Sequence, residues 1–348
     1  MNKLSLSEQI SFAKRLAFLV KGNVPLHESL RIIATQSSKQ RKEFFENIAG
    51  EVSAGRHLSS SLADSGQRFS SLFIETIRAG EESGLLVPNL SRLAVTLEKR
   101  QVLKRKVVGS LVYPLCIGIA TILLSLFLTV FIFPKIRPLL ENTHTVLPLS
   151  TRALMSISSY MRHYGIMTFF VLLIAVLAGI YIIKKNERLR LLISRGILSL
   201  PILGTLSRNY HSATITHALG LMLSSGMPLH RAMILISEGT ENRAYRRELS
   251  ATAEKIRAGE QLSKNFSLLP AFFPTHICHL IEVAESAGSL PETLLYIGDS
   301  LEAEIDASTK TMTGLVEPIL MAVMGLIVGF IALSIITPLY ALTQNIHR

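Results

Sequence analysis

Val24-Pro25-Leu26-His27 recurs far along the chain as Met227-Pro228-Leu229-His230, with Leu16 ahead of the first and Leu219 ahead of the second at the same distance. One inserted residue later, a second constant offset relates Ala54-Gly55 to Ala258-Gly259, Leu58-Ser59 to Leu262-Ser263, Phe69 to Phe273, Ile77 to Ile281, Glu81 to Glu285, Gly84 to Gly288, Leu90 to Leu294 and Pro114 to Pro318. Register held over such a length reads as an internal repeat, because two unrelated amphipathic helices share a period but not a run of matched breakers. Each copy is then a water-facing module of about 90 residues that leads into an apolar stretch. Those stretches start near Tyr113-Pro114 and Glu317-Pro318.

A spanning helix needs about 20 mainly apolar residues. Gly109–Phe133 carries no charge, Ile166–Ile183 is shorter but also uncharged, and Gly314–Leu342 holds one carboxylate, Glu317. With 49% apolar residues and 18% charged ones in 348, three spans account for the excess hydrophobicity. Lys14, Arg15 and Lys21 interrupt the first apolar stretch, so a cleaved signal peptide is not indicated. The second span has a topological purpose. Two modules of one orientation, each ending in an exit helix, share a compartment only if a further helix returns the chain between them.

Basic residues beside the spans set the direction. Lys99, Arg100, Lys104, Arg105 and Lys106 precede the first span, whereas Lys135 and Arg137 follow it; Lys184, Lys185, Arg188, Arg190 and Arg195 follow the second. The expected layout is a cytoplasmic module over 1–108, spans at 109–133, 166–183 and 314–342, an external loop over 134–165, and a cytoplasmic segment 184–313 with the second module at about 216–302. The tail 343–348 is then external. Residues 1–108 hold 17 Lys/Arg against 10 Asp/Glu, while 184–313 hold 14 against 13. Much of the net charge of +11 therefore reads as a collar that meets anionic lipid, with no nucleic-acid partner expected.

Within the modules every signal is helical, so the fold class is all-α. Ser5 and Glu8 form a capping-box pattern, Ile10, Ala13, Leu16, Ala17 and Val20 share a helix face, and Gly22 ends it. Pro25 suits the first turn of the next helix. Lys39–Ala54 places Phe44, Ile48 and Val52 on one side. From Leu90 the pattern runs without a breaker into the first span, as one helix of about 45 residues, roughly 70 Å, able to transmit tilt or torque. Pro114 and Pro318 predict kinks, with a hinge as the functional alternative. Glu317 is costly at mid-membrane and is expected either at a helix interface with a partner or near the headgroups.

Chemistry-bearing motifs are poor. There is no GxxxxGK phosphate loop, GxGxxG or HExxH, and the two cysteines, Cys116 and Cys278, lie far apart, so no cofactor and no catalytic group is expected. His276 and His279 share a helix face with Glu282 and are weak metal candidates that the first module does not repeat. Gly80-Glu81-Glu82-Ser83-Gly84 reads as a turn after a helix end, with Gly84 and its counterpart Gly288 able to take positive φ. Glu81, Glu82 and Glu285 are candidates for contact with a cation or a basic partner.

Lys106-Val107, Ser110-Leu111 and Tyr113-Pro114, followed by an apolar run closed by Pro134, resemble the signature of the inner-membrane platform proteins of type II secretion and type IV pilus machines, the F-protein family. The acidic turn, its Ala284-Glu285-Ser286-Ala287-Gly288 counterpart and Glu317-Pro318 are similar too, so the resemblance runs from about Phe12 to the C-terminus. It implies a non-enzymatic, polytopic homodimer with two cytoplasmic helical bundles. Such a protein would contact a hexameric assembly ATPase, pilins or pseudopilins and other inner-membrane assembly proteins, and the ATPase would move it so that subunits join a filament. Many members carry a further N-terminal segment; here the first module starts almost at once, as in a shorter subtype. The alternatives are a small membrane transporter, which needs polar groups converging at mid-membrane, and a membrane-tethered signalling adaptor.

Overall fold

The computed structural model describes residues 4–66, 68–135, 149–186, 203–240 and 242–346, together with 189, 193 and 196. Among these residues every regular element is a helix. The chain divides into two compact units, Met1–Val107 with Leu191–Ser308, and Val108–Arg190 with Thr309–Arg348.

In the first unit, α1 (Leu6–Lys21) begins at the expected capping box: the Ser5 amide donates to Glu8 Oε2 at 2.9 Å and the Glu8 amide donates to Ser5 Oγ at 3.4 Å. It buries Ile10, Ala13, Leu16 and Ala17 and ends at Gly22. Asn23, with φ +61°, turns the chain into α2 (Leu26–Thr35), where Pro25 is the capping residue rather than a member of the first turn. The buried side of α3 (Lys39–Ser53) is Phe45, Ile48 and Ala49. Of the expected stripe, Ile48 is buried and Phe44 and Val52 pack partly buried against the same core; the face is widened by Phe45, which stacks on Phe12 with ring centroids 5.2 Å apart. Then come α4 (Leu58–Ala63), α5 (Ser71–Glu82) and α6 (Leu86–Phe127), which buries Leu90, Leu93, Ala94 and Leu97. Burial of each such leucine is worth about 1.5–3 kcal/mol.

The second half of this unit runs through α8 (Leu203–Ser224), α9 (Leu229–Gly239), α10 (Arg243–Arg257), α11 (Leu262–Ser267), α12 (Thr275–Ala287) and the start of α13 (Leu290–Ile346). Its core holds Tyr245, whose hydroxyl donates to the Phe272 carbonyl at 2.8 Å, and Phe266 stacked on Phe273. The two cores exchange residues: Leu221 of α8 packs in the first, Leu103 of α6 in the second.

The second unit contains the apolar parts of α6, α7 (Leu149–Lys185) and α13, and three helices here are long and apolar enough to cross a membrane. Its large apolar side chains point outward; Leu123, Phe170 and Leu326 are 59%, 55% and 75% exposed. Such a surface is stable only against hydrocarbon. Helix α7 starts at Leu149, so residues 149–165, expected in a loop, are helical; no breaker falls before Gly165 to stop the turn. Residues 136–148 of the expected external loop, Arg188, Arg190, Arg195, and 347–348 of the tail lie outside the described residues.

After Phe127 the first span takes a π turn over Leu128–Ile132. A π turn disturbs the regular ladder of backbone bonds, and here the Ser158 hydroxyl of α7 donates to the buried Thr129 carbonyl at 2.8 Å. Thr151 likewise donates to the Ser334 carbonyl of α13 at 2.9 Å, and Phe133, Leu154 and Ile331 pack beside these bonds. The carboxyl ends of the first and third spans therefore meet the amino end of α7, so the middle helix runs against the other two.

Candidate functional site

Glu81 and Glu285 occupy equivalent places. Glu81 lies in the last turn of α5 and reaches across to the start of α4, where its Oε1 accepts the Leu58 amide at 2.6 Å and its Oε2 accepts the Ser59 amide at 3.0 Å. Glu285, in the last turn of α12, accepts the Leu262 amide at 2.6 Å and the Ser263 amide at 3.0 Å, and takes the Ser263 hydroxyl at 2.6 Å as well. The first amides of a helix have no partner inside it and form its positive end, so a carboxylate laid across two of them is a strong cap. Gly80, Glu81 and Glu82 are helical, and the turn begins only at Ser83. Gly84 and Gly288 then take φ +70° and +71°, the left-handed conformation that ends a helix without strain on a Cβ. Gly80 is needed for another reason: a Cβ there would stand 3.0 Å from Leu86 Cα, where α5 presses on α6. Glu82 is exposed.

The modules are joined by ions between α6 and α13. Lys99 pairs with Asp299, and Lys106 pairs with Glu302 at 3.2 Å and Asp306 at 2.9 Å. Lys99 and Lys106 of the collar therefore have acidic partners among the described residues. His217 of α8 completes the joint, with Nε2 2.8 Å from Asp299 Oδ1. Its ring lies against Gly298, where a Cβ would fall 2.4 Å from the imidazole, and Gly220 meets Leu295 in the same close-packed seam. Burial, helped by the Lys99 charge, lowers the His217 pKa against the pull of Asp299, so the ring is neutral and Nε2–H is the donor. Burial alone would raise the Asp299 carboxyl, but the bonds from Lys99 and His217 outweigh it and hold it below the ordinary carboxylate range. The Asp306 bond raises the Lys106 ammonium above its usual value, aided by Glu302. On the other side of the joint, Arg231 of α9 donates to Glu75 of α5 at 2.7 Å and Arg92 donates to the Ser224 carbonyl at 3.1 Å.

The remaining candidates stand apart. Lys104, Arg105 and Lys185 are exposed, and Lys184 lies in α7 with its side chain outside the description. Helices α6 and α13 continue through Pro114 and Pro318. Tyr113, Glu317 and Pro318 are exposed, and Glu317 has no hydrogen-bond or ion-pair partner among the described residues. Thr121 and Ser125 spend their hydroxyls on carbonyls one turn back in α6 rather than converging on a shared site. His276 stands 3.6 Å from Glu304, while Cys278 faces the core, where burial raises its thiol. No three His, Cys, Asp or Glu side chains among the described residues are grouped to hold a metal.

With this geometry in place, comparison with known proteins gives a direct result. The family described as type II secretion system protein F matches this chain twice, over residues 12–134 and 215–338. The chain belongs to the type II secretion system protein F family. The type II secretion system protein F of Pseudomonas aeruginosa is 30% identical over 342 residues, which cover 98% of this chain and 84% of that protein. That of Vibrio cholerae is 29% identical over 99% of this chain and 85% of its own length. The type IV pilus assembly protein PilC of Pseudomonas aeruginosa is 28% identical, covering 95% of this chain and 88% of its own. Membership and the three apolar helices make this F-family chain an inner-membrane protein of secretion or pilus machinery.

The clamps were within reach of the sequence, since Leu58-Ser59 with Glu81 and Leu262-Ser263 with Glu285 recur together. A Glu that returns with the same distant Leu-Ser pair signals a contact between them. His217 carried no such signal, because its partners lie on helices far away in sequence.

Proposed function

We propose that this F-family protein is a non-enzymatic platform that couples a cytoplasmic assembly ATPase to the polymerisation of pilins or pseudopilins. The observation that carries this reading is the ionic joint: α6 and α13 are bound through Lys99, Lys106, Asp299, Glu302 and Asp306 shortly before each becomes apolar. A push on either module is then shared by both exit helices. The N-terminus and both modules are cytoplasmic, the C-terminus is external, and the protein works as a homodimer beside other inner-membrane assembly proteins. The basic residues Lys104, Arg105, Lys184 and Lys185 meet lipid headgroups. Glu82 is the acid of the three left open to a partner; Glu81 and Glu285 act indirectly, by holding each module in shape. Glu317 faces outward from its span and pairs with a subunit in the membrane.

Lys106→Glu places three acids together and opens the joint, while adding Glu302→Lys and Asp306→Lys reverses every charge and re-forms it. Filament assembly or secretion is expected to be lost in the first and restored in the triple variant at equal protein levels, with ATPase and prepilin co-purifying with the wild type. Unchanged assembly in Lys106→Glu, or absence of both partners from the wild-type preparation, overturns the reading.

A further inference from the structure

The contact between the two modules uses a different side of each. The first module offers α5 and α6: Glu75 takes the Arg231 guanidinium at 2.7 Å, Arg92 donates to the Ser224 carbonyl at 3.1 Å, and Lys99 pairs with Asp299. The second module answers with α9, α13 and the end of α8, whose Leu221 is buried in the first core. Because the modules are repeats, each residue of this contact has a counterpart at the same place in the other module. The counterparts form two faces, and both are open. On the second module, His279 corresponds to Glu75, Val283 to Ala79, Tyr296 to Arg92 and Ala303 to Lys99. Val283 and Tyr296 are 67% and 65% exposed. On the first module, Glu28 corresponds to Arg231, Val95 to Asp299 and Phe18 to Leu221. Phe18 and Val95 are 77% and 51% exposed.

These two faces match each other in kind. Where the existing contact sets Glu75 against Arg231, the open faces hold His279 and Glu28, an imidazole N–H donor and a carboxylate acceptor. Where it sets Lys99 against Asp299, they hold Ala303 and Val95, two apolar groups. Both members of each pair differ together, so polar stays opposite polar and apolar opposite apolar. His279 and Glu28 are exposed and have no ion-pair partner among the described residues. We propose that a second copy of this chain docks here, its first module lying on α12 and α13 of the second module, so that the contact within one chain is repeated between chains. Glu28 of one copy then meets His279 of the other, Val95 meets Ala303, and Phe18, Val283 and Tyr296 leave water. The contact joins unlike faces, so in a homodimer each chain docks on the other and four modules alternate around a closed ring. The proposal deepens the homodimer of the platform reading and rests on that part of it. Self-association is scored on the chain itself, without filament assembly, so either idea fails alone.

Two differently tagged full-length chains, both carrying Cys116→Ser, are co-expressed and oxidised in membranes with copper phenanthroline. Val95→Cys in one chain with Ala303→Cys in the other should form a disulfide between chains, as should Glu28→Cys with His279→Cys. Val95→Cys with Lys264→Cys, at an exposed position on α11, should not. Energy transfer between labelled chains diluted in neutral-lipid vesicles reads the affinity. Val283→Glu should weaken self-association about tenfold, His279→Glu should weaken it because it faces Glu28, and adding Glu28→Lys to His279→Glu should restore it. Circular dichroism screens the variants, and the disulfides decide alone if Val283→Glu folds poorly. Absence of a disulfide between chains at both pairs, or self-association unchanged in a folded Val283→Glu, overturns the proposal. Loss of another protein from the Val283→Glu preparation, with self-association unchanged, assigns the face to that protein instead and overturns it too.

Discussion

Replacing Glu285 by alanine removes both oxygens that cap α11 and leaves three donors, the Leu262 and Ser263 amides and the Ser263 hydroxyl, without an acceptor. A hydrogen bond to a charged group is worth about 1.5–3 kcal/mol, and a helix cap about 1. The site is part-buried, so water recovers some of the loss and the bonds do not add. A six-residue helix has little stability of its own to absorb what remains. We expect the local opening of α11 to become easier by about 3 kcal/mol, on the order of a hundredfold in the opening equilibrium. Hydrogen exchange read by mass spectrometry over residues 258–268, in nanodiscs, measures that opening directly. Glu285→Gln keeps one acceptor but turns an amide NH₂ toward an N–H, so its loss should be about half as large. Ser263→Ala removes only one of the three bonds and should cost about 1 kcal/mol. If Glu285→Ala leaves exchange over this segment at the wild-type rate, the clamp is not what holds α11, and the carboxylate is free for a partner after all.

Gly298→Ala should weaken the packing of α8 on α13 by about 1–3 kcal/mol, since the new Cβ overlaps the His217 ring; adding His217→Ala should recover part of it, as thermal unfolding of the detergent-solubilised chain will show. Acidification should loosen the same seam. His217 and Asp299 both have folded pKa values below their unfolded ones, so each stabilises above its unfolded pKa and the effect is lost as pH falls, for histidine from about 6.5 downward. Protection factors in α8, from exchange corrected for its pH-dependent intrinsic rate, should therefore fall between pH 7 and 5 in the wild type and stay flat in His217→Gln, which keeps a donor but does not titrate; equal slopes in the two would count against this. Ser158→Ala and Thr151→Ala each remove one bond between spans and should cost about 0.6 kcal/mol, at most about 2. Steric-trap unfolding in bicelles can measure that difference, and a loss several times larger would mean that the π turn itself collapses.

Much of this protein was legible before any coordinates. Local signals carried the helices: the Ser5–Glu8 box, the Leu90-Leu93-Ala94-Leu97 stripe and Gly84 act over a few residues, where backbone sterics and periodicity decide the outcome. The three apolar runs were equally plain, because hydrocarbon admits little else. What the tertiary structure alone decided was the employment of the charges. Glu81 and Glu285 look like open turn acids in one dimension and prove to be caps on a helix more than twenty residues back; Lys99 and Lys106 look like a lipid collar and pair with Asp299, Glu302 and Asp306. A carboxylate or ammonium is satisfied by whichever opposite group lies within a few ångströms. Sequence distance says nothing of that proximity, and packing of α6 and α8 against α13 creates it.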